Sequence, residues 1–221
     1  MTTPRGDARH STAARVAQTL RTWIAEGELP PGRQLSEDSL ATTLAVSRNT
    51  LREAFRQLTH ERLLVHEFNR GVFVRVLSAG DVEDLFYVRR LIECAVVREL
   101  GPPPYGLTGL ATAVTAGEQA AAAGDWTAVA SANIHFHRSL VALAGSPRTD
   151  EIMSRLLAEL RLALHTAVTP RTLYEPFVPR NRALHDALEA GDRHQSADLL
   201  AAYLDDSQAA LTKANAEAGV P

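Results

Sequence analysis

The stretch Ser47–Leu58 admits one regular conformation. Leu51, Ala54, Phe55 and Leu58 recur at three- and four-residue spacing, the period of a helix that buries a single stripe. Ser47 suits the N-cap, because its hydroxyl can accept a backbone N–H of the first turn. The opposite face carries Arg48, Asn49, Arg52 and Arg56. Such a face is either solvated surface or a reader of base edges. Arg can fork onto guanine O6 and N7, Asn onto adenine N6 and N7, and both can hold phosphate.

Its neighbours favour the second reading. Upstream, Leu35–Leu44 reads as a short helix capped by Ser36, with Glu37 and Asp38 at the positive end of its dipole. A break at Ala45-Val46 then gives the short turn of a helix-turn-helix. Downstream, Leu63–His66 and Val72–Arg75 are β-prone runs joined by Glu67-Phe68-Asn69-Arg70-Gly71, a hairpin with Arg70 at its tip. That hairpin reads as a wing. Before all of these, a helix over Thr12–Ala25 has Val16, Leu20, Trp23 and Ile24 as its inner stripe. It ends at Gly27, and Leu29-Pro30-Pro31-Gly32 turns the chain back.

Charge agrees with this division. The net charge of −3 over 221 residues conceals an uneven distribution: residues 1–78 hold eleven Arg against eight acids, and the remainder twelve basic against eighteen acidic residues. Between Ala41 and Arg75 there are six Arg and three acids, a local positive field of modest strength. No segment approaches the roughly 18 apolar residues of a membrane span, and the first residues lack a signal-peptide core. The expected location is therefore the cytoplasm, with no membrane partner. A single Cys94 excludes an internal disulfide or a multi-cysteine metal site and reads as packing.

Pro31-Gly32, Leu35-Ser36-Glu37, Val46-Ser47-Arg48, Leu51-Arg52-Glu53-Ala54 and Arg70-Gly71, in this order and spacing, resemble the N-terminal domain of the GntR family of bacterial transcription regulators. The resemblance implies DNA contacts by Arg33, Ser47, Arg48, Asn49, Thr50, Arg52, Arg70 and Gly71. One departure stands out: Arg62 occupies a position where the family usually has Gly, and must end the recognition helix without glycine's freedom at positive φ.

Beyond Asp81 the pattern becomes all-α, with helices expected at about 81–100, 107–123, 125–144, 148–167, 177–190 and 193–215, separated by Pro or Gly breakers that include the Pro170–Pro179 stretch. The expected organisation is a disordered tail over 1–10, a winged helix-turn-helix domain over 11–77, a linker over 78–80, and an all-α effector and dimerisation domain over 81–217. Asp81, Leu85, Arg89 and Glu93, then Asn133, Phe136 and His137, then Gly191-Asp192 and Ala197, resemble the effector domain of the FadR-type branch of the same family.

Polar groups interrupt this bundle where its core should be. Arg89 and Glu93 fall within the stripe of Val82, Leu85, Phe86, Val96, Val97 and Leu100. Either they pair with each other, or Arg89 faces a cavity and binds an anionic group of a small molecule. Asn133 and His137 likewise fall on the inward face formed by Trp126, Val129, Leu140, Val141 and Ala144, with His135 pointing away. In the FadR-type branch such positions often hold a divalent metal with two further His. Here the matching positions are Asn181 and Tyr203, so no tightly bound metal is expected, although His185 one turn after Asn181 could support a weaker site. The expected effector site is Arg89, Glu93, Asn133, His137, Asn181, His185 and Tyr203, without cofactor. His165 and His194 receive no role.

These readings converge on a homodimeric, ligand-responsive regulator, a repressor by expectation, that binds a pseudo-palindromic operator. Its alternatives are a regulator whose pocket holds a divalent metal or no effector, and an enzyme using His137 and Glu93 as acid and base. Against the enzyme, no nucleophile or phosphate loop accompanies that pair.

Overall fold

Three helices and a small sheet build the first unit of a computed structural model that describes residues 12–166, 170–217 and 219, the side chains of 165, 166 and 170 excepted. The tail expected over residues 1–10 lies outside the described residues. The chain divides into two compact units, Met1–Val76 and Leu77–Pro221.

In the first unit, α1 (Thr12–Glu26) packs on α3 (Arg48–His60) through Val16, Leu20 and Ile24, which meet the Leu51, Ala54, Phe55 and Leu58 stripe. Trp23, expected on the inner stripe, is only half-buried. Arg21 secures the same pair of helices from outside, its Nη2 lying 2.7 Å from Glu61 Oε1. Between them, α2 (Glu37–Thr43) is capped by Ser36, whose hydroxyl accepts from Ser39 N.

Strands β2 (Leu64–Glu67) and β3 (Gly71–Val74) form the expected hairpin. A third strand, β1 (Gln34–Leu35), was not expected and pairs with β3, giving an antiparallel sheet of order β1-β3-β2. Two residues are too short a run to show a period. Leu63, Leu64, Val72 and Val74 turn inward, so the sheet closes the core beneath α3.

Arg62 answers its departure from the family pattern by adopting φ +59°. Leu63 N reaches back to Leu58 O at 2.9 Å, the long hydrogen bond of a Schellman ending. The helix therefore stops where a glycine would have stopped it, at the cost of a Cβ in the left-handed region.

The second unit is entirely helical among the described residues: α4 (Ala79–Glu99), α5 (Thr108–Ala123), α6 (Trp126–Ala142), α7 (Pro147–Thr166), α8 (Pro170–Tyr174), a 3₁₀ turn (Glu175–Phe177), α9 (Val178–Glu189) and α10 (Arg193–Glu217). Helix α4 packs on α6, α7 and α10, while α5 lies along α6 and α9. Three expectations need correction. Ser78–Gly80 is not a linker: Ser78 caps α4 in a reciprocal box with Asp81, and Ala79 and Gly80 are its first residues. The proline-containing stretch read as a breaker is itself helical from Pro170 to Pro179, because Pro170 and Pro179 stand near helix starts where no N–H is required. Ala144, expected on the inner face of α6, lies past the helix end and is exposed.

Replacing Arg62 with glycine should raise the unfolding free energy by ~1 kcal/mol, by removing the left-handed Cβ penalty. Chemical denaturation of the full chain tests this. An unchanged or lowered stability would show that the ending is not strained.

Candidate functional site

The outward face of α3 is exposed as its periodicity requires: Arg48, Asn49, Arg52 and Arg56 are all solvent-accessible. Ser47 does not reach outward with its hydroxyl. It accepts from Thr50 N at 3.1 Å and lies 2.8 Å from the Thr50 hydroxyl, so its first role is to start the helix. The acidic residues of α2, which the sequence suggested only as dipole partners, hold the arginines of α3. Arg48 Nη2 is 2.9 Å from Asp38 Oδ1, and Arg52 Nε donates to Glu37 Oε2 at 2.8 Å. Both guanidinium groups remain largely exposed, so these pairs orient the side chains at a cost of at most ~1 kcal/mol to release.

Arg33 is exposed beside β1. In the wing, Gly71 has φ +103°, and a Cβ there would approach the Gln34 amide at 3.5 Å; this backbone requirement explains the glycine without any DNA contact. Arg70 pairs with Glu67 and its guanidinium stacks 5.4 Å from the centroid of Phe73. Asn49, Arg52, Arg56 and Thr59 of α3 share with His66 and Val72 of the sheet an open depression of about 600 Å³.

The second unit buries a chain of polar groups. Arg89 Nε donates to Glu93 Oε1 at 2.8 Å, and Glu93 Oε2 lies 2.6 Å from His137 Nδ1; all three residues are at most 1 % exposed. Of the two readings open for Arg89, the internal pair is the one present. A carboxylate can only accept, so the imidazole proton sits on Nδ1 and leaves Nε2 as an acceptor. Burial alone pushes the Glu93 carboxyl up, but Arg89 and His137 outweigh it and hold the group below its ordinary value. Burial pushes the His137 imidazole down, with Arg89 adding to the effect against the pull of Glu93, so the ring is neutral.

One step away, Asn133 Oδ1 accepts twice, from Asn181 Nδ2 at 2.9 Å and from Tyr203 OH at 2.6 Å. The Tyr203 ring stands 4.9 Å from that of His137. Among the described residues, four buried atoms at this centre have no hydrogen-bond partner within the protein: Arg89 Nη2, His137 Nε2, Asn181 Oδ1 and Tyr174 OH. Tyr174 and Asn181 line a cavity of about 10 Å³ together with Asn133, Val114 and Gly117. His185 is buried, and its Nδ1 lies 3.1 Å from Asp186 Oδ1. His194 is exposed, and the side chain of His165 lies outside the described residues.

Residues 12–74 match the bacterial regulatory proteins of the gntR family, and residues 84–206 match the FCD domain. The chain belongs to the GntR family, FCD branch. This GntR-family chain is 30% identical over 202 residues to a protein of Paenarthrobacter nicotinovorans named "Probable D-xylose utilization operon transcriptional repressor", an alignment covering 89% of this chain and 88% of that one. It is 36% identical over 94 residues to the gluconate operon transcriptional repressor of Bacillus licheniformis, covering 42% of this chain and 38% of that protein. A solved structure from Rhodococcus sp. RHA1, assigned there to GntR transcriptional regulators, superposes with TM-score 0.88 at 42% identity, covering 92% of this chain and 99% of that one.

The branch implies a divalent metal, and the residues do not fit one. Asn133 Oδ1 already accepts two hydrogen bonds, and His137 offers a single nitrogen because Nδ1 is held by Glu93. Burial pushes the Tyr203 phenol up, so it stays protonated and is no phenolate ligand. Elsewhere among the described residues, His185, Asp186 and Glu189 bring ligand atoms within 4.8 Å of one another, but two of the three are exposed carboxylates. Sequence reasoning missed Tyr174, which sat inside the stretch read as a breaker.

Both titrations act in one direction. His137 is depressed, so the unfolded chain takes up the proton first, near the ordinary value of 6.5, and stability declines as pH falls below it. Depressed Glu93 adds its loss at lower pH, below its ordinary 4.5. His137→Asn, which keeps a donor for Glu93 and removes the titration, should flatten the fall in melting temperature between about pH 7 and pH 5. A slope unchanged from that of the unmodified protein would contradict the assignment.

Proposed function

We propose that this GntR-family regulator acts as a homodimeric repressor whose FCD domain binds a small polar organic effector and thereby alters operator binding. It works as a switch: among the described residues, Glu93 hydrogen-bonds His137 and Arg89, and neither Glu93 nor His137 bonds a Ser, Thr or Cys side chain. Arg33, Arg48, Asn49, Thr50, Arg52 and Arg70 touch the operator, the α3 side chains reading base edges in the major groove. One winged helix covers few base pairs, so two copies on a pseudo-palindrome provide the specificity.

The observation that carries the effector reading is the group of unsatisfied buried atoms around Asn133, His137, Asn181 and Tyr174. Leaving a buried polar atom unpaired costs ~1–3 kcal/mol, and a ligand that pairs it recovers that cost. The anionic effector expected from an unpartnered Arg89 loses its premise, because Glu93 neutralises the guanidinium. What remains open is one charge-assisted donor, two acceptors and a phenol, a set that hydroxyl groups satisfy better than a carboxylate does. The relative named for D-xylose utilization accords with a hydroxyl-rich effector. The cavity of about 10 Å³ holds no such molecule as it stands, so binding requires the helices around Tyr174 to part. The effector acts only through its preference for one arrangement over the other.

A thermal-shift screen against neutral sugars, sugar acids and small carboxylates tests this. A neutral polyhydroxy compound should raise the melting temperature of the unmodified protein and do so far less for Tyr174→Phe. That variant alone should gain up to ~1 kcal/mol by losing an unpaired hydroxyl. Stabilisation by carboxylates alone would return the reading to an anionic effector, and no response to any compound would contradict the sensor.

At the operator, Arg52→Ala should weaken specific binding by ~1–3 kcal/mol and relax preference at one base pair per half-site. Equal loss on specific and random DNA, measured by competition binding, would make Arg52 a phosphate anchor.

A further inference from the structure

Phe68 is the most exposed large apolar side chain among the described residues, at 85 %. It stands at the tip of the wing. Arg70 N donates to Glu67 O at 3.1 Å, closing a turn whose two central residues are Phe68 and Asn69, and Asn69 takes φ +59°. The hairpin does not need the phenyl ring for its core, since Val72 and Val74 already fill the inner face.

The tip is also held in place. Gln34 Nε2 donates to Arg70 O at 2.6 Å, tying the turn to β1. Arg70, the cation expected to lead at the tip, is drawn back onto Glu67 and over Phe73. The outermost group of a braced hairpin is therefore an uncovered aromatic ring, with Arg70 two residues away.

We propose that Phe68 is an apolar wedge that enters the minor groove beside each half-site and parts one base step. The sheet and α3 line one depression, with Arg52 and Arg56 on one side and His66 and Val72 on the other. With α3 in the major groove, the hairpin that shares its depression is the element nearest the flanking duplex, and its turn is the part free to reach the adjoining minor groove. A phenyl edge fits a groove about 6 Å wide, and apolar side chains that enter it unstack bases and kink the duplex. The step entered is a flexible pyrimidine–purine step, which costs least to open. Phe68 thus adds specificity through deformability where α3 makes no base contact.

The test uses the full-length protein and a duplex that it selects from a random-sequence pool, with 2-aminopurine placed in turn at adenines flanking each half-site. The unmodified protein and Phe68→Leu should raise the probe's fluorescence severalfold at one step per half-site. Phe68→Ala should leave fluorescence at the level of free duplex and bind about tenfold more weakly. An exposed side chain contributes little to folding, so melting temperature should be equal for all three. Absence of any fluorescence rise with the unmodified protein, or a rise retained in Phe68→Ala, overturns the proposal. So does a change in sedimentation of Phe68→Ala with DNA distortion intact, which would place Phe68 at a protein contact instead.

Discussion

A guanidinium and a carboxylate sealed one turn apart in the apolar stripe of α4 set the terms for the second unit. Neither could be buried alone, because an isolated ion in that interior would lose several kcal/mol of hydration. Arg89 and Glu93 offset each other, and His137 from α6 takes the remaining carboxylate oxygen through Nδ1. The arrangement links α4 to α6 and decides the chemistry left over. Its sum of charge is zero, and its unpaired atoms are those the ion pair does not consume. The Asn133, Asn181 and Tyr203 network brings α9 and α10 to the same centre.

The first unit uses the same chemistry in water with the opposite outcome. Arg48–Asp38 and Arg52–Glu37 also set cation against acid between two helices, but solvent screens them and their release is cheap. They hold the Arg48 and Arg52 side chains in a defined pose that costs little to release. The buried pair, by contrast, is expensive to break, which suits a fixed element around which a guest must arrange itself.

Much of this was legible from residue pattern. The α3 stripe of Leu51, Ala54, Phe55 and Leu58 is buried as its spacing required, and Arg62 adopts the left-handed conformation its position demanded. Apart from α8 and the 3₁₀ turn, which lie inside the stretch read as a breaker, the helices of the second unit follow their expected Pro and Gly boundaries closely. Burial of Arg89, Glu93 and His137 followed from the stripe; their mutual pairing did not, since one-dimensional spacing cannot say which way a side chain turns. Tyr174 and Phe68 escaped for a related reason. Each lies in a short segment without a period, where only tertiary packing decides whether a ring is enclosed or left outside. The two-residue β1 was invisible on the same ground.

The protonation of His137 tests the central claim most directly, because neutrality of the buried trio determines which effector the domain can take. Nitrogen-15 NMR of the full-length protein labelled at histidine reads it at neutral pH. The account predicts a neutral ring with its proton on Nδ1 and a bare Nε2. An imidazolium protonated on both nitrogens would contradict it, leaving a net positive centre suited to an anion.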